Sequence, residues 1–350
     1  MQKFNQEETM FQKDKVFIIA EVGQNHQGDL DKAREYIRVF ALEGADAIKF
    51  QTRNNKYLFS KDAYDATYNS ENAFANTYGA HREYLELKPE WLSILKKDCE
   101  KHGVKFMSTP FDEPSLSLLQ TEKVDLLKLA SFDLGNIPFI KRVAMTGIPV
   151  VMSVGGGKIE QIRSSVKMIL DHHDKIAILH CVSEYPCEYN RLGLENIEVL
   201  AKEFPKLVIG LSDHFNGTLS GPVAYLKGAR VFEKHVTLNR ASKGTDHSFA
   251  LEPEGFRKFV RDIKRVGKML PAKEEADLGN EAVFKKLGKS VVAFVDINKG
   301  ERITLEMLSG KIFSDQIIPV RESANIIGCI SKINIKKGDP VRYEHLQDED

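Results

Sequence analysis

No apolar run in this chain approaches the ~20 residues needed to cross a bilayer, so a membrane-spanning protein is not expected. Charge of one sign is also missing. Fifty Lys and Arg are matched by fifty Asp and Glu among 350 residues, which argues against a basic nucleic-acid binder. The four cysteines, Cys99, Cys181, Cys187 and Cys329, include no CxxC pair, as suits reduced thiols in a cytoplasmic protein. There is no P-loop, no GxGxxG after a strand and no GxSxG elbow, so nucleotide and serine-hydrolase chemistry lack their usual signals. The opening MQKFNQEETMFQKDK carries charge without an apolar core, and no secretory leader is expected there.

What is present is an alternation. Short runs rich in β-branched residues fall at 16–22, 47–52, 104–110, 126–131, 149–154, 176–183, 207–213 and 231–237. Between them lie segments such as LDKAREYIRVFALEG and KIEQIRSSVKMILDHH, with apolar residues at helical spacing. Eight strand–helix units predict a (β/α)8 TIM barrel over 15–270, after an N-terminal extension at 1–14. A doubly wound sheet is the competing architecture. Residues 271–288 are charged, contain no strand pattern and read as a linker. From 289 to 350 the texture is short β runs with Lys-Gly turns at 299–300 and 337–338, a small β-rich domain with a weak internal duplication. One connection is long: 53–88, polar and aromatic without a clean period, either a cover for the barrel mouth or an ordered part of the site.

In such a barrel the C-terminal strand ends form the active face, and here each brings a chemically useful side chain. They include Glu21, Lys49 and Gln51, then Ser108 and Thr109, Lys128 with Ser131 and Asp133, and Ser153 before three glycines. His180, Ser183 and Tyr185 follow, then Ser212 and His214, Glu233, Lys234 and His235, and Asp246 just beyond. Lys49, Lys128 and Lys234 sit in apolar runs, where each needs either an internal ion pair or a ligand anion. With the serines they make a converging set of donors suited to phosphate or carboxylate. His214 and His235 end adjacent strands. They either share a divalent metal or bracket a carboxylate as a hydrogen-bonded pair.

The motifs IIAEVGQNHQGDL, GADAIKFQT, STPFD, KLAS, HCVSEYP, GLSDH, FEKHVTL and GTDHSFALEP resemble the sialic acid synthase family (N-acetylneuraminate synthase and its relatives) over the whole barrel. The C-terminal stretch from KLGKSVVAFVDINKGERIT resembles the antifreeze-like (SAF, β-clip) domain these enzymes carry. The resemblance implies condensation of phosphoenolpyruvate with N-acetylmannosamine or its 6-phosphate, giving N-acetylneuraminate or its 9-phosphate. By the same resemblance His214 and His235 would hold a divalent metal, Mn²⁺ first, with Mg²⁺ and Co²⁺ as alternatives. Lys49, Thr109, Lys128, Ser131, Ser153, Ser183 and Ser212 would hold phosphoenolpyruvate. Gln51, Asp133 and Tyr185 would orient the sugar, and Glu21 and Asp246 would move protons. A domain-swapped homodimer is implied, each small domain covering the partner's barrel.

This chain departs from the family pattern at Ser131-Phe132-Asp133, where Ser-Gly-Glu is common, and at Val154-Gly155, where Thr-Gly is common. Bacterial members usually carry an Arg in the small domain that reaches the acetamido group; Ile312 stands there instead. Animal-type synthases, which take a phosphorylated sugar, also lack it, and GQNHQGDL and TYGAHREYLEL look closer to that type. Basic residues of the long connection, Arg53, Lys56, Lys61 and Arg82, are candidates to meet a 6-phosphate or else form a solvated surface. The alternatives are a legionaminic, pseudaminic or deaminated nonulosonic acid synthase, or a carbohydrate-binding barrel without catalysis.

Overall fold

The structure, a computed structural model, describes residues 10–315 and 317–348. It divides into two compact units, Met1–Leu270 and Pro271–Asp350. In the first, eight parallel strands close on themselves: β1 Phe17–Gly23, β2 Ala47–Thr52, β3 Lys105–Pro110, β4 Leu126–Leu129, β5 Val150–Ser153, β6 Ile176–Cys181, β7 Val208–Asp213 and β8 Val231–His235. The barrel shuts where β8 pairs with β1, Ile19 opposite Glu233 and Glu21 opposite His235. Closure rules out the doubly wound alternative.

Local chemistry accounts for the elements. The helix after β1, Leu30–Leu42, starts where the Asp29 carboxylate accepts the backbone N–H of Lys32. It buries Ala33, Tyr36, Ile37 and Phe40, a spacing that turns one apolar stripe to the barrel. The helix Glu113–Thr121 uses Asp112 as its cap and Pro114 in its first turn. The connection 53–88 is not one irregular loop. It folds into helices Asn55–Leu58, Lys61–Asp65 and Tyr78–Leu85, around rings of Phe59, Tyr68, Phe74, Tyr78 and His81 with centroids 4.6–5.8 Å apart. Aromatic packing does there what apolar periodicity does elsewhere, which is why the sequence shows no clean repeat.

Strand alternation makes two cores. Residues such as Ile18, Phe50, Phe106, Phe232 and Leu211 face outward and pack with the helices. The inward set, Ile19, Ala47, Met107, Leu126, Val151, Ala177, Leu179, Val208 and Val231, fills the barrel's N-terminal half, with Phe11 among it. Gly210 belongs to this inward face, where a Cβ would lie 2.0 Å from the Val231 carbonyl oxygen.

In the second unit, β9 Lys289–Ala293 pairs antiparallel with β10 Leu308–Ile312, and β11 Ile330–Ser331 with β12 Leu346–Gln347. Residues 271–288 group with it and hold the short helix Ala282–Leu287. The two similar segments meet each other: Ile297 and Ile335 exchange backbone hydrogen bonds of 2.9 and 2.8 Å. The Gly of each Lys-Gly turn has positive φ, +85° and +89°.

Replacing Gly210 with Ala should force β7 from β8, because the obstacle is backbone that no rotamer change can clear. A loss of at least about 1–3 kcal/mol is expected, read as a lower thermal midpoint. An unchanged midpoint would show that the barrel wall yields there without cost.

Candidate functional site

Two residues beyond the apolar layer, the barrel interior changes character. Ile19 gives way to Glu21, Ala47 to Lys49, Met107 to Thr109, Leu126 to Lys128, Val151 to Ser153, Leu179 to Cys181 and Val231 to Glu233. These side chains floor a cavity of about 440 Å³ at the C-terminal mouth. Gln51, Ser131, Tyr185, Ser212, His214, His235 and Asp246 also line it. Ser183 lies at its edge. A Cβ on Gly155 would sit 2.8 Å from the Ser183 hydroxyl and 2.9 Å from that of Ser131, and the Gly155 N–H donates to Ser131 at 3.0 Å. The glycine therefore lets two serines and a backbone amide converge. Asp133 does not line the cavity; its carboxylate accepts from the Asn136 amide at 3.0 Å.

The three strand lysines, alike in sequence, have three different fates. Lys234 points outward, between its inward neighbours Glu233 and His235, and pairs with Asp213 at 2.7 Å behind the barrel wall. It takes no part in the converging donor set. Lys49 points in, ion-pairs with Glu21 at 2.7 Å and Glu233 at 3.3 Å, and donates to Thr109 at 3.2 Å. Lys128 points in and uses two, on Ser153 Oγ at 2.7 Å and the Leu129 carbonyl at 2.9 Å. No carboxylate of the described residues ion-pairs with it. Burial lowers its pKa, with Glu233 opposing. An ammonium 3 % exposed, with a free donor and no carboxylate within ion-pairing distance among the described residues, is a vacancy for an anion.

The carboxylates are arranged for proton movement. Burial pushes Glu21 up to about 7, against the pull of Lys49 and with a push from Glu233. Its Oε1 accepts from the Gln51 amide at 2.8 Å. Burial also opposes the charge on Glu233, but Lys128, Lys49 and the two histidines outweigh it and hold that carboxyl below its ordinary value. Two carboxylates in one layer thus differ in protonation tendency, as an acid and its neighbour must. Glu21, Gln51 and Asp246 close around the Cα of Gly23, where a Cβ would lie 3.3–3.6 Å from their polar atoms.

The imidazoles of His214 and His235 are 5.4 Å apart between ring centroids, with the Tyr185 ring 4.1 Å from that of His214. The Nδ1 of His214 bonds the Val182 carbonyl at 2.7 Å, which leaves Nε2 as the lone-pair nitrogen. The Nδ1 of His235 is buried without a hydrogen-bond partner, and Asp246 Oδ2 lies 3.9 Å away. Oε2 of Glu233 is also orphaned. Two available imidazoles beside carboxylate oxygen suit a divalent cation. Among the described residues no group of three or more His, Cys, Asp or Glu is placed to hold a metal ion. Two histidines alone would leave the remaining positions around a cation to other oxygens, as in an open site.

Several polar strand-end residues prove structural. Ser108 bonds Thr52 at 2.8 Å outside the barrel, and His180 bonds the Leu192 carbonyl at 2.7 Å. Glu233, Gln24, Phe111, Cys181 and Thr245 also line the cavity. Glu233 and Cys181 were readable by parity, two residues before His235 and two after Leu179; the others come from the segments beyond the strand ends and carry no sequence signal. Of the four basic residues on the long connection, Arg53 and Arg82 line the cavity, whereas Lys56 and Lys61 are exposed.

Comparison with known proteins finds similar chains and folds. The NeuB family matches residues 36–275. N-acetylneuraminate-9-phosphate synthase of Homo sapiens is 33% identical over 94% of this chain and 92% of its own. N,N'-diacetyllegionaminic acid synthase of Legionella pneumophila is also 33% identical, over 95% and 94%. Among solved structures, the N-acetylneuraminic acid synthetase of Leptospira borgpetersenii in complex with citrate superposes with a TM-score of 0.68 at 31% identity, covering 76% of this chain and 90% of that one.

Lys128→Met should separate stability from binding. Inorganic phosphate is expected to raise the thermal midpoint of the parent by ligand linkage and to leave the variant unmoved. Without phosphate the variant should melt no lower than the parent, since the thioether removes an unrepaid desolvation. An equal phosphate shift in both proteins would show that Lys128 holds no anion.

Proposed function

This chain belongs to the NeuB family, and from that premise we propose that it is a phosphoenolpyruvate-dependent synthase. It joins phosphoenolpyruvate to the aldehyde of an open-chain amino sugar of the N-acetylmannosamine type, free or 6-phosphorylated. The products are a nine-carbon 2-keto acid, N-acetylneuraminate or its 9-phosphate, and phosphate. The observation that supports this most is Lys128, the buried ammonium with a spare donor among hydroxyls. Phosphoenolpyruvate brings about three negative charges to such a cradle.

In this reading Lys128, Thr109, Ser131, Ser153, Ser183 and Ser212 bind the phosphate and carboxylate. Lys49, ion-paired with both carboxylates, fixes Glu21 and Glu233 in place beneath the ligand. Gln51 and Tyr185 orient the sugar. His214 and His235 would hold a divalent cation, Mn²⁺ first, which when bound supplies a Lewis acid for the aldehyde oxygen. As the bond forms between C3 of phosphoenolpyruvate and the aldehyde carbon, the aldehyde oxygen needs a proton, and Glu21 is poised near neutrality to give it. Water then adds at C2, its proton taken by Asp246, and the C2–O bond to phosphate breaks. The second unit is read as an antifreeze-like domain and the assembly as a cytoplasmic homodimer, each small domain over the partner's barrel. Ile312, where an acetamido-reading Arg is common in the family, is exposed at the end of β10.

The experiment is phosphate release from phosphoenolpyruvate against a panel of acceptors, with the product identified by mass. Release should depend on an N-acetylmannosamine-type sugar. Release only with a dideoxy diacetamido hexose would move the enzyme to the legionaminic or pseudaminic branch, and no release with any sugar would refute the synthase. Chelator should abolish turnover and Mn²⁺ restore it, while His214→Ala and His235→Ala should be inactive yet folded. Full activity in chelator would end the metal role.

The pH dependence follows from Glu21. The acid is present below its pKa and lost above it, so kcat/KM should fall about tenfold per pH unit above about 7. A profile flat from about pH 6 to 9 would remove Glu21 as the acid.

A further inference from the structure

The cavity's unpaired cations form two groups. Lys128 sits on β4 against β5, among the serines. Arg53 and Arg82 come from the connection between β2 and β3. Arg53 stacks its guanidinium 3.8 Å from the centre of the Phe111 ring and donates from Nη2 to Gln51 Oε1 at 2.6 Å. Its Nη1 is buried without any partner. Arg82 donates from Nε and Nη2 to the Tyr78 hydroxyl at 3.0 and 2.7 Å, and from Nη1 to the side-chain amide oxygen Oε1 of Gln24. Every side-chain acceptor recorded for the two guanidiniums is neutral. Glu86, beside Arg53, takes its backbone N–H at 3.0 Å, and burial pushes that carboxyl up to about 7, so the anion nearest to Arg53 is itself partly discharged.

Two guanidiniums at one cavity wall, one with an orphaned buried N–H, present a fork that a tetrahedral dianion fills and a hydroxyl does not. Arg53 is further tied to the reacting end, since Gln51 accepts from it and donates to Glu21. We propose that Arg53 and Arg82 are specificity-determining residues that bind the phosphate of a phosphorylated acceptor sugar. This rests on the synthase reading above and selects one of its two acceptors. Lys56 and Lys61, exposed outside the cavity, take no part.

The test compares kcat/KM for N-acetylmannosamine 6-phosphate and the free sugar in the parent, Arg53→Lys, Arg53→Ala and Arg82→Gln. The parent should favour the phosphorylated sugar by at least about a hundredfold, as two charge-assisted contacts warrant. Arg53→Ala and Arg82→Gln should each cut that ratio by roughly tenfold or more, with Arg53→Lys in between. Because the readout is a ratio within each folded, active protein, a general loss of activity does not mimic it. Equal use of both sugars by the parent overturns the proposal while leaving the synthase standing. So does a loss that appears equally with both sugars in the phosphoenolpyruvate KM, for the arginines would then serve the first substrate. Absence of phosphate release with every sugar overturns the synthase reading and this proposal with it.

Discussion

A barrel that places two lysines and two glutamates in one interior layer has to satisfy four charges where water is scarce, and the pattern of that satisfaction organises everything above it. Lys49 is neutralised by Glu21 and Glu233 and donates to Thr109. That leaves Lys128 with an open donor and Glu233 with an open oxygen. The incompleteness is local and aimed at the cavity, while the outward ion pair of Lys234 and Asp213 is closed and buried. Breaking a buried pair costs several kcal/mol. The layer therefore acts as a rigid floor with one anion vacancy and one carboxyl near neutrality.

The mouth elements extend the same logic. Gly155 brings the hydroxyls of Ser131 and Ser183 together, and the His214–Tyr185 stack keeps a second imidazole beside His235. The long connection contributes arginines held by neutral partners. Arg82 lies against the Tyr78 ring of its aromatic cluster and Arg53 against Phe111, and neither guanidinium ion-pairs with a carboxylate of the described residues.

Much of this was legible in the sequence. The eight β-branched runs follow from periodicity, and twelve of the fourteen singled-out site residues line the cavity. Parity was the underused signal. Lys234 lies between two inward residues and so faces out, while Glu233 shares the face of His235. The difference between Lys49 and Lys128 was not legible, because it depends on which carboxylates neighbouring strands deliver across the barrel. Nor was the separation of Arg53 and Arg82 from Lys56 and Lys61, four candidates alike in sequence, since non-periodic loop charges look alike until tertiary packing turns some to the cavity and leaves others outside. Asp133 shows the reverse: a carboxylate at a strand end, turned to Asn136 by local geometry.

The central claim is that the layer's vacancy binds phosphoenolpyruvate through Lys128. Calorimetric titration of phosphoenolpyruvate, without sugar, into the parent and into Lys128→Met tests it most directly. Saturable binding to the parent that is weakened at least about tenfold, about 1.4 kcal/mol, in the variant is the expected result. Equal affinity in both proteins would contradict the account.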